Sequence, residues 1–156
     1  MFKEMRRKDR EIIDAKIMEE ILINGQYGVL STMGDGEYPY GVPVNYVYFD
    51  KSIYFHCAED GYKLENIQRN PRVSFCVVSE SEVLPHKFST KYKSVIAFGI
   101  ASEITDDAKA SILFALVEKY SPDFTDEGQK YIESSQATTR IVKIDIQHMT
   151  GKERNY

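Results

Sequence analysis

Short connections between strand-like segments are the feature of this sequence that most restricts its fold. Gly34–Gly36 separates a predicted strand at Tyr27–Met33 from a longer one at Tyr38–Phe49. The dipeptide Asp50-Lys51 then leads into a third predicted strand at Ser52–Cys57. Such residues are typical of tight turns, whereas parallel neighbours need a crossover of about a dozen residues or more. We therefore expect a mainly antiparallel sheet.

The remaining elements follow from periodicity and from turn residues. Val142, Ile144 and Ile146 alternate with polar residues, which predicts a half-buried last strand. Ile13, Ile17 and Ile21 are spaced for one face of a first helix. The other predictions are strands at Arg72–Val83 and Ser94–Ile104, a loop at Pro85–Tyr92, and helices at Glu11–Ile23, Lys63–Arg69, Asp106–Tyr120 and Asp126–Ser134, with Thr105 as the N-cap of the third.

Strands outnumber helices, and this favours one domain over residues 1–156, mainly β with flanking helices. The antiparallel, Greek-key-like sheet is expected to close into a barrel. Pro39 and Pro43 fall inside the second predicted strand. Because proline cannot donate a ladder hydrogen bond, that strand is expected at an edge or a bulge.

Charge and composition exclude several kinds of partner. The net charge is −4, so the chain lacks the basic excess that nucleic-acid binding usually requires. No apolar stretch approaches the roughly 20 residues of a membrane span, and no signal peptide follows the start. One basic cluster precedes the first helix; we interpret it as a solvated helix start, with a lid or phosphate-contacting arm as the alternative. Its members are Lys3, Arg6, Arg7, Lys8 and Arg10.

Two cysteines, Cys57 and Cys76, lie within apolar strand-like runs. Buried, reduced thiols are expected, which points to a cytoplasmic protein. His56 precedes Cys57, but adjacent strand residues point to opposite faces and cannot easily bind one ion. No metal site is therefore predicted. Nucleophile-elbow, Walker and HExxH motifs are absent from the sequence.

His56 is the first candidate functional residue. Alternation places it with Tyr54 on the face opposite Phe55 and Cys57, away from the expected core. A lone strand histidine is more often structural or surface-exposed than functional. Its proximity to the loop that follows the strand favours a functional role.

The loop after the third strand leads into a helix that has a lysine, Lys63, in its first turn. Free N–H groups at a helix start, together with this lysine, form a plausible phosphate cradle. The alternative is that Glu59 and Asp60 complement the helix dipole and that Lys63 is merely solvated. The two acidic residues would also repel a phosphate.

Several stretches resemble successive strands of the pyridoxamine-phosphate-oxidase-like split barrels, in the same order and over nearly the whole chain. Within that family the closest resemblance is to the nitroimidazole-resistance branch. The stretches are Tyr27–Thr32, Pro39–Tyr48, Ile53–Ala58, Gly61–Ile67, Asn70–Phe75, Val83–Pro85, Lys119–Phe124 and Thr150–Lys152.

The resemblance implies a flavin mononucleotide (FMN)-binding split barrel, and a homodimer with FMN in clefts between the subunits. It assigns Lys63, with His56 and Cys57, to the FMN phosphate, and His56 also to the vicinity of flavin and substrate. Ser94 and Val95 would reach flavin across the dimer. Four residues would lie against the isoalloxazine ring, mostly through backbone groups: Val42, Pro43, Val44 and Asn45.

Two departures limit what the resemblance implies. Tyr62 stands where true pyridoxamine-phosphate oxidases carry an arginine beside the phosphate lysine, so flavin affinity is in question. The segment His148–Arg154 also lacks their Arg-x-His pair. Oxidation of vitamin B6 is therefore disfavoured.

Three functions are compared. The first is an FMN-dependent oxidoreductase that reduces a small acceptor such as a nitroaromatic compound, with His56 as proton donor or orienting group. The second is a non-catalytic module that binds flavin, haem or a deazaflavin. The third is a cofactor-free structural dimer.

Overall fold

A computed structural model describes residues 1–36 and 38–156. Eight strands are present over these residues: β1 (Glu11–Ile12), β2 (Gly28–Met33), β3 (Pro39–Val44), β4 (Val47–Phe49), β5 (Ser52–Ala58), β6 (Arg72–Leu84), β7 (Ser89–Ile104) and β8 (Thr139–Arg154). The α-helices are α1 (Ala15–Asn24), α2 (Tyr62–Arg69), α3 (Ala108–Tyr120) and α4 (Thr125–Ser135). No helix in the described ranges is long and apolar enough to cross a membrane.

The strands form one sheet in the order β3-β2-β6-β7-β8-β5-β4, and β1 pairs with β8. Every pairing is antiparallel. The order begins with β3 and ends with β4, so the sheet is not closed. The predicted mainly antiparallel split barrel with flanking helices is confirmed. The expectation that the sheet closes is wrong, because β3 and β4 do not pair with each other.

The opening of the barrel lies where one strand was predicted. Residues 38–49 form two strands, because the chain leaves the sheet at Asn45 and Tyr46. β3 pairs only with β2, and β4 pairs with β5. The prolines Pro39 and Pro43 lie on β3 at one end of the sheet, as expected for residues that cannot donate a ladder hydrogen bond.

Two apolar clusters are separated by the sheet. The larger fills the barrel and includes Phe55, Phe75 and Val142. The second lies outside the barrel between the sheet and α3 and α4, and it includes Tyr54 and Ile141. As predicted, Tyr54 lies on the face of β5 opposite Phe55 and Cys57. That face is also buried at Tyr54, because α3 and α4 cover it.

The first helix begins later than predicted. Asp14 accepts a hydrogen bond from the Lys16 N–H at 2.9 Å and caps α1 at Ala15. Glu11–Ile12 instead pairs with β8 as β1, which leaves Ile13 86% exposed. The buried face consists of Met18, Ile21 and Leu22, so the predicted isoleucine stripe is only partly correct.

The basic cluster is not the start of α1; Lys8–Arg10 forms a single 3₁₀ turn, and β1 separates it from that helix. Arg7 pairs with Asp9 at 2.5 Å, and Lys8 lies 3.2 Å from Glu11 and 3.4 Å from Glu4. These basic side chains are therefore neutralised locally by carboxylates.

Three other local predictions need correction. The loop predicted at Pro85–Tyr92 is a single 3₁₀ turn at Pro85–Lys87 followed by β7, so β6 and β7 form one long hairpin. Thr105 does not cap α3; the Asp106 side chain accepts from the Ala108 N–H at 2.9 Å. The two free thiols are not both buried, since Cys76 is only partly buried.

Candidate functional site

The backbone of Tyr46 lies at the opening of the barrel, and side chains from α3 satisfy its polar groups. The Tyr46 N–H donates to the Tyr120 hydroxyl at 3.0 Å, and the Lys119 ammonium donates to the Tyr46 carbonyl at 2.9 Å. The Tyr120 oxygen lies 2.7 Å from the Gln26 carbonyl and 3.2 Å from the Tyr46 carbonyl, so its single proton is directed mainly at Gln26. The end of α3 thus replaces a neighbouring strand at this point.

The Tyr46 side chain anchors the same point from inside the barrel. It is completely buried, its hydroxyl donates to the Leu22 carbonyl, and its ring meets Phe75 edge-on at 5.0 Å. The Lys119 ammonium sits over the Tyr46 ring, 3.8 Å from its centre. These contacts determine where Asn45 leaves the barrel.

His56 lies across the opening, on the outer face of β5. Asn45 and His56 line the same cavity. Desolvation, assisted by the positive charge of Lys63, lowers the pKa of His56 below its usual value. Because that usual value is already near 6.5, His56 is mainly neutral at pH 7.

Cys57 points the other way, into the barrel core. Burial raises the pKa of its thiol. The predicted separation of the His56 and Cys57 side chains on opposite faces is therefore present in the structure. Cys57 can reach a cofactor outside the core only through its backbone.

The N-terminus of α2 forms the cationic end of this site. Gly61 precedes the helix with a φ of 140°, and no side chain caps the first turn among the residues described. Open space surrounds Gly61 where a side chain would lie. The charge of Lys63 is close enough to help lower the pKa of His56, and at Cys57 it opposes the larger effect of burial, which raises the pKa of that thiol. Together these features are suited to holding a phosphate.

A second cation, Arg140, was missed by the sequence analysis. Arg140 pairs with Cys57 across β8 and β5, and its guanidinium donates to both oxygens of Glu103, at 2.7 and 3.0 Å. No motif marks this arginine. Its position follows from the register of two strands that are about 80 residues apart in the chain.

Side-chain contacts tie α2 to the opposite side of the opening. The Tyr62 ring meets the Tyr40 ring of β3 edge-on at 4.7 Å. The fully buried Asn66 donates to the Thr32 hydroxyl of β2 at 3.0 Å. The lysine of α2 is thereby held in position relative to β3.

The predicted ring-contacting residues lie at the end of β3. Val42 and Val44 are half-buried against the barrel core, whereas Pro43 and Asn45 are exposed. Asn45, which follows this strand end, lines one cavity with His56, and Lys63 at the start of α2 is close enough to influence the pKa of His56. We call this region the split cleft and define it by Val42–Asn45, His56–Ala58 and Gly61–Lys63.

Ser94 and Val95 do not join the split cleft of their own chain. They lie on β7, which β6 and β2 separate from β3. Ser94 is partly exposed on the outer face of the sheet, while Val95 is fully buried in the barrel. Val95 can therefore offer a ligand only its backbone.

The fold and this arrangement can now be compared with known proteins. The family model described as pyridoxamine 5'-phosphate oxidase matches residues 14–153. The chain belongs to this family. The resemblance stated from the sequence is confirmed, and a search of curated proteins finds no match.

Solved structures with the same fold include flavin-binding proteins. A candidate 5-nitroimidazole antibiotic resistance protein from Bacteroides thetaiotaomicron shares 23% identity, with a TM-score of 0.73 over 91% of this chain and 85% of its own. An FAD-binding protein from Mesorhizobium loti shares 26% sequence identity, with a TM-score of 0.66 over 94% of this chain and 98% of its own. An FAD and haem binding protein from Mycobacterium smegmatis shares 19% sequence identity, with a TM-score of 0.81 over 94% of this chain and 74% of its own.

The anchoring of Tyr46 makes a prediction about pH. Desolvation lowers the pKa of Lys119 to about 8 in the folded protein, against about 10.4 in an unfolded chain. Between these values the unfolded chain binds more protons, so the free energy of unfolding rises with pH. Lys119→Met should lack that rise. The wild-type value minus the variant value, measured by urea unfolding, should therefore increase from pH 7.5 to pH 9.5.

Tyr46 and Tyr120 do not obscure this comparison, because burial raises the pKa of both above the range used. Lys16→Met, on the exposed surface of α1, is the matched control. The free energy of unfolding of the wild type minus that of this variant should not vary with pH. The account is contradicted if the free energy of unfolding of the wild type minus that of Lys119→Met stays constant or decreases between pH 7.5 and pH 9.5.

Proposed function

We propose that the split cleft binds FMN, with the phosphate at the start of α2 and the isoalloxazine ring against Val42–Asn45. The observation that carries this proposal is the placement of Lys63, His56 and Asn45 around one opening in a barrel of a flavin-binding family. The open space at Gly61 and the uncapped first turn fit a phosphate group. Arg140 lies near the same end, but its guanidinium is paired with Glu103, so Lys63 is the main cation where Tyr62 replaces the family's arginine.

We further propose that the protein is an oxidoreductase that acts on small aromatic acceptors such as nitroaromatic compounds. Bound flavin would supply the redox chemistry, accepting a hydride from a reduced nicotinamide and passing two electrons on to the acceptor. His56 would orient the acceptor or hold the proton that the reduced product requires. The fold shared with a candidate 5-nitroimidazole resistance protein supports this class of acceptor.

The second candidate function is a non-catalytic module that binds flavin or haem. His56 beside an apolar cavity is the feature that favours it, because imidazole is a common axial ligand of haem. A protein of the same fold from Mycobacterium smegmatis binds FAD and haem. The absorbance spectrum of the purified protein separates the two candidates, since flavin and haem absorb at different wavelengths.

A homodimer would complete the cofactor site in this proposal. On the outer face of the sheet, three apolar residues lie side by side in register on neighbouring strands, and Ile96 among them is 39% exposed: Val29, Cys76 and Ile96. Ser94 lies on the same face, so a second copy packed there would bring β7 towards the cofactor of its partner. Exposed apolar patches of this kind are typical of protein interfaces.

The dimer is tested by sedimentation of the FMN-saturated protein. We expect a species of about 36 kDa, twice the 18.0 kDa of one chain. Replacing Ile96 with Lys places a charge within the apolar face and should shift the population towards the single chain. An 18 kDa species that still binds FMN tightly would exclude a site shared between subunits.

Lys63→Ala should weaken FMN binding without unfolding the protein. Loss of one charge-assisted contact costs about 1.5–3 kcal/mol, which corresponds to roughly a tenfold to hundredfold increase in Kd. Titration followed by quenching of flavin fluorescence measures the constant. Lys16→Ala removes the same charge from α1 and should leave Kd unchanged, while an unchanged Kd for Lys63→Ala would remove this lysine from the site.

Replacing His56 tests its role in turnover. If His56 donates a proton, His56→Ala should keep FMN binding but lose about a hundredfold or more in kcat. The lowered pKa of His56 means that wild-type kcat should rise as pH falls below about 6.5, and His56→Asn should lose this dependence. Wild-type turnover and pH dependence in both variants would leave His56 as a wall of the cleft.

A further inference from the structure

We propose that the cavity between β5 and the α3–α4 pair binds a flat, uncharged aromatic molecule against His56. We call this cavity the helical pocket; it has a volume of about 500 Å³. Its lining residues include His56, Leu116, Tyr120, Phe124, Glu127 and Tyr131. That the bound molecule is also the acceptor reduced by flavin rests on the proposed function, whereas its binding does not.

The helical pocket exists because the second apolar cluster ends before β5 does. α3 and α4 cover Tyr54 and Ile141, which are both buried. His56 lies two residues beyond Tyr54 on the same face and remains exposed. The space beside it is left open between the two helices and the strand.

The two helices meet closely at the pocket, which gives it a defined wall. Gly128 of α4 packs against Val117 of α3, and a Cβ at position 128 would overlap that valine. Both residues line the cavity. The volume lies within the range of about 300–1,000 Å³ found for small-molecule sites.

The lining combines apolar surface with a few polar groups on one side. Leu113 and Leu116 of α3 are buried beneath it. Phe124 and Tyr131 line it while remaining 61% and 72% exposed, so two aromatic rings lie where a ligand ring can stack. Asn45 and His56 supply hydrogen-bonding groups on the side of the split cleft.

The charges of the residues that line the helical pocket favour an uncharged ligand. The described residues that line the pocket include one carboxylate, Glu127, and no lysine or arginine. His56 is neutral at pH 7 because its pKa is lowered. Lys119 is directed at Tyr46, and Lys63 lies at the phosphate end of the split cleft. An anion would therefore lose its hydration and gain no cation in return.

A matched pair of probes tests this selectivity on protein without flavin. 4-Nitrobenzamide and 4-nitrobenzoate have nearly the same shape and differ in charge. We expect the amide to bind at least tenfold more tightly than the benzoate, as measured by calorimetry. Glu127→Gln should reduce the ratio of the two affinities, because it removes the carboxylate that repels the benzoate. Equal affinities, or tighter benzoate binding, would overturn the proposal.

Variants at the exposed rings locate the binding. The double variant Phe124→Ala/Tyr131→Ala should weaken amide binding at least tenfold, because both rings are lost while the buried cluster is retained. Phe88→Ala, which truncates a 98% exposed phenylalanine in the turn between β6 and β7, is the matched control and should bind normally. Unchanged amide affinity in the double variant would place the ligand elsewhere.

The same variants separate this proposal from that of flavin binding. The double variant should keep the wild-type Kd for FMN and, in the loaded enzyme, raise KM for the amide more than it lowers kcat. If the protein binds the amide as expected but not FMN, the proposed function fails and the helical pocket stands. If FMN binds and the amide does not, the helical pocket fails and the flavin site stands.

Discussion

The interaction on which the rest of the structure depends is the capture of the Tyr46 backbone by the end of α3. A barrel that opens between two strands leaves peptide groups without ladder partners, and such groups are costly when buried. Tyr120 and Lys119 supply the missing partners, and the buried Tyr46 ring holds the same residue from inside. The opening of the barrel is therefore stabilised by specific contacts of Tyr46 with the end of α3.

The opening creates two chemically different regions on either side of His56. Lys63 and the uncapped start of α2 give one region the positive character that a phosphate requires. On the other side, α3 and α4 provide mainly apolar walls, and the described residues that line the helical pocket include no lysine or arginine. His56 lines the helical pocket on one side, and on the other side the charge of Lys63 contributes to its lowered pKa.

Local patterns predicted most of the fold, because alternation and turn residues act over a few positions. The last strand, the edge position of Pro39 and the helix that carries Lys63 followed from such patterns. The break at Asn45 could not be predicted, since the partners of Tyr46 come from a helix more than 70 residues later. Arg140 and the helical pocket were missed for the same reason: strand register and helix packing are tertiary properties.

The central claim is that the split cleft holds the flavin, and a crystal structure of the FMN-saturated protein tests it most directly. The account predicts the FMN phosphate within hydrogen-bonding distance of Lys63 and of the first backbone N–H groups of α2. It also predicts the isoalloxazine ring against Val42–Asn45, with His56 beside it. Flavin bound at another surface, with Lys63 in contact only with solvent, would contradict the account.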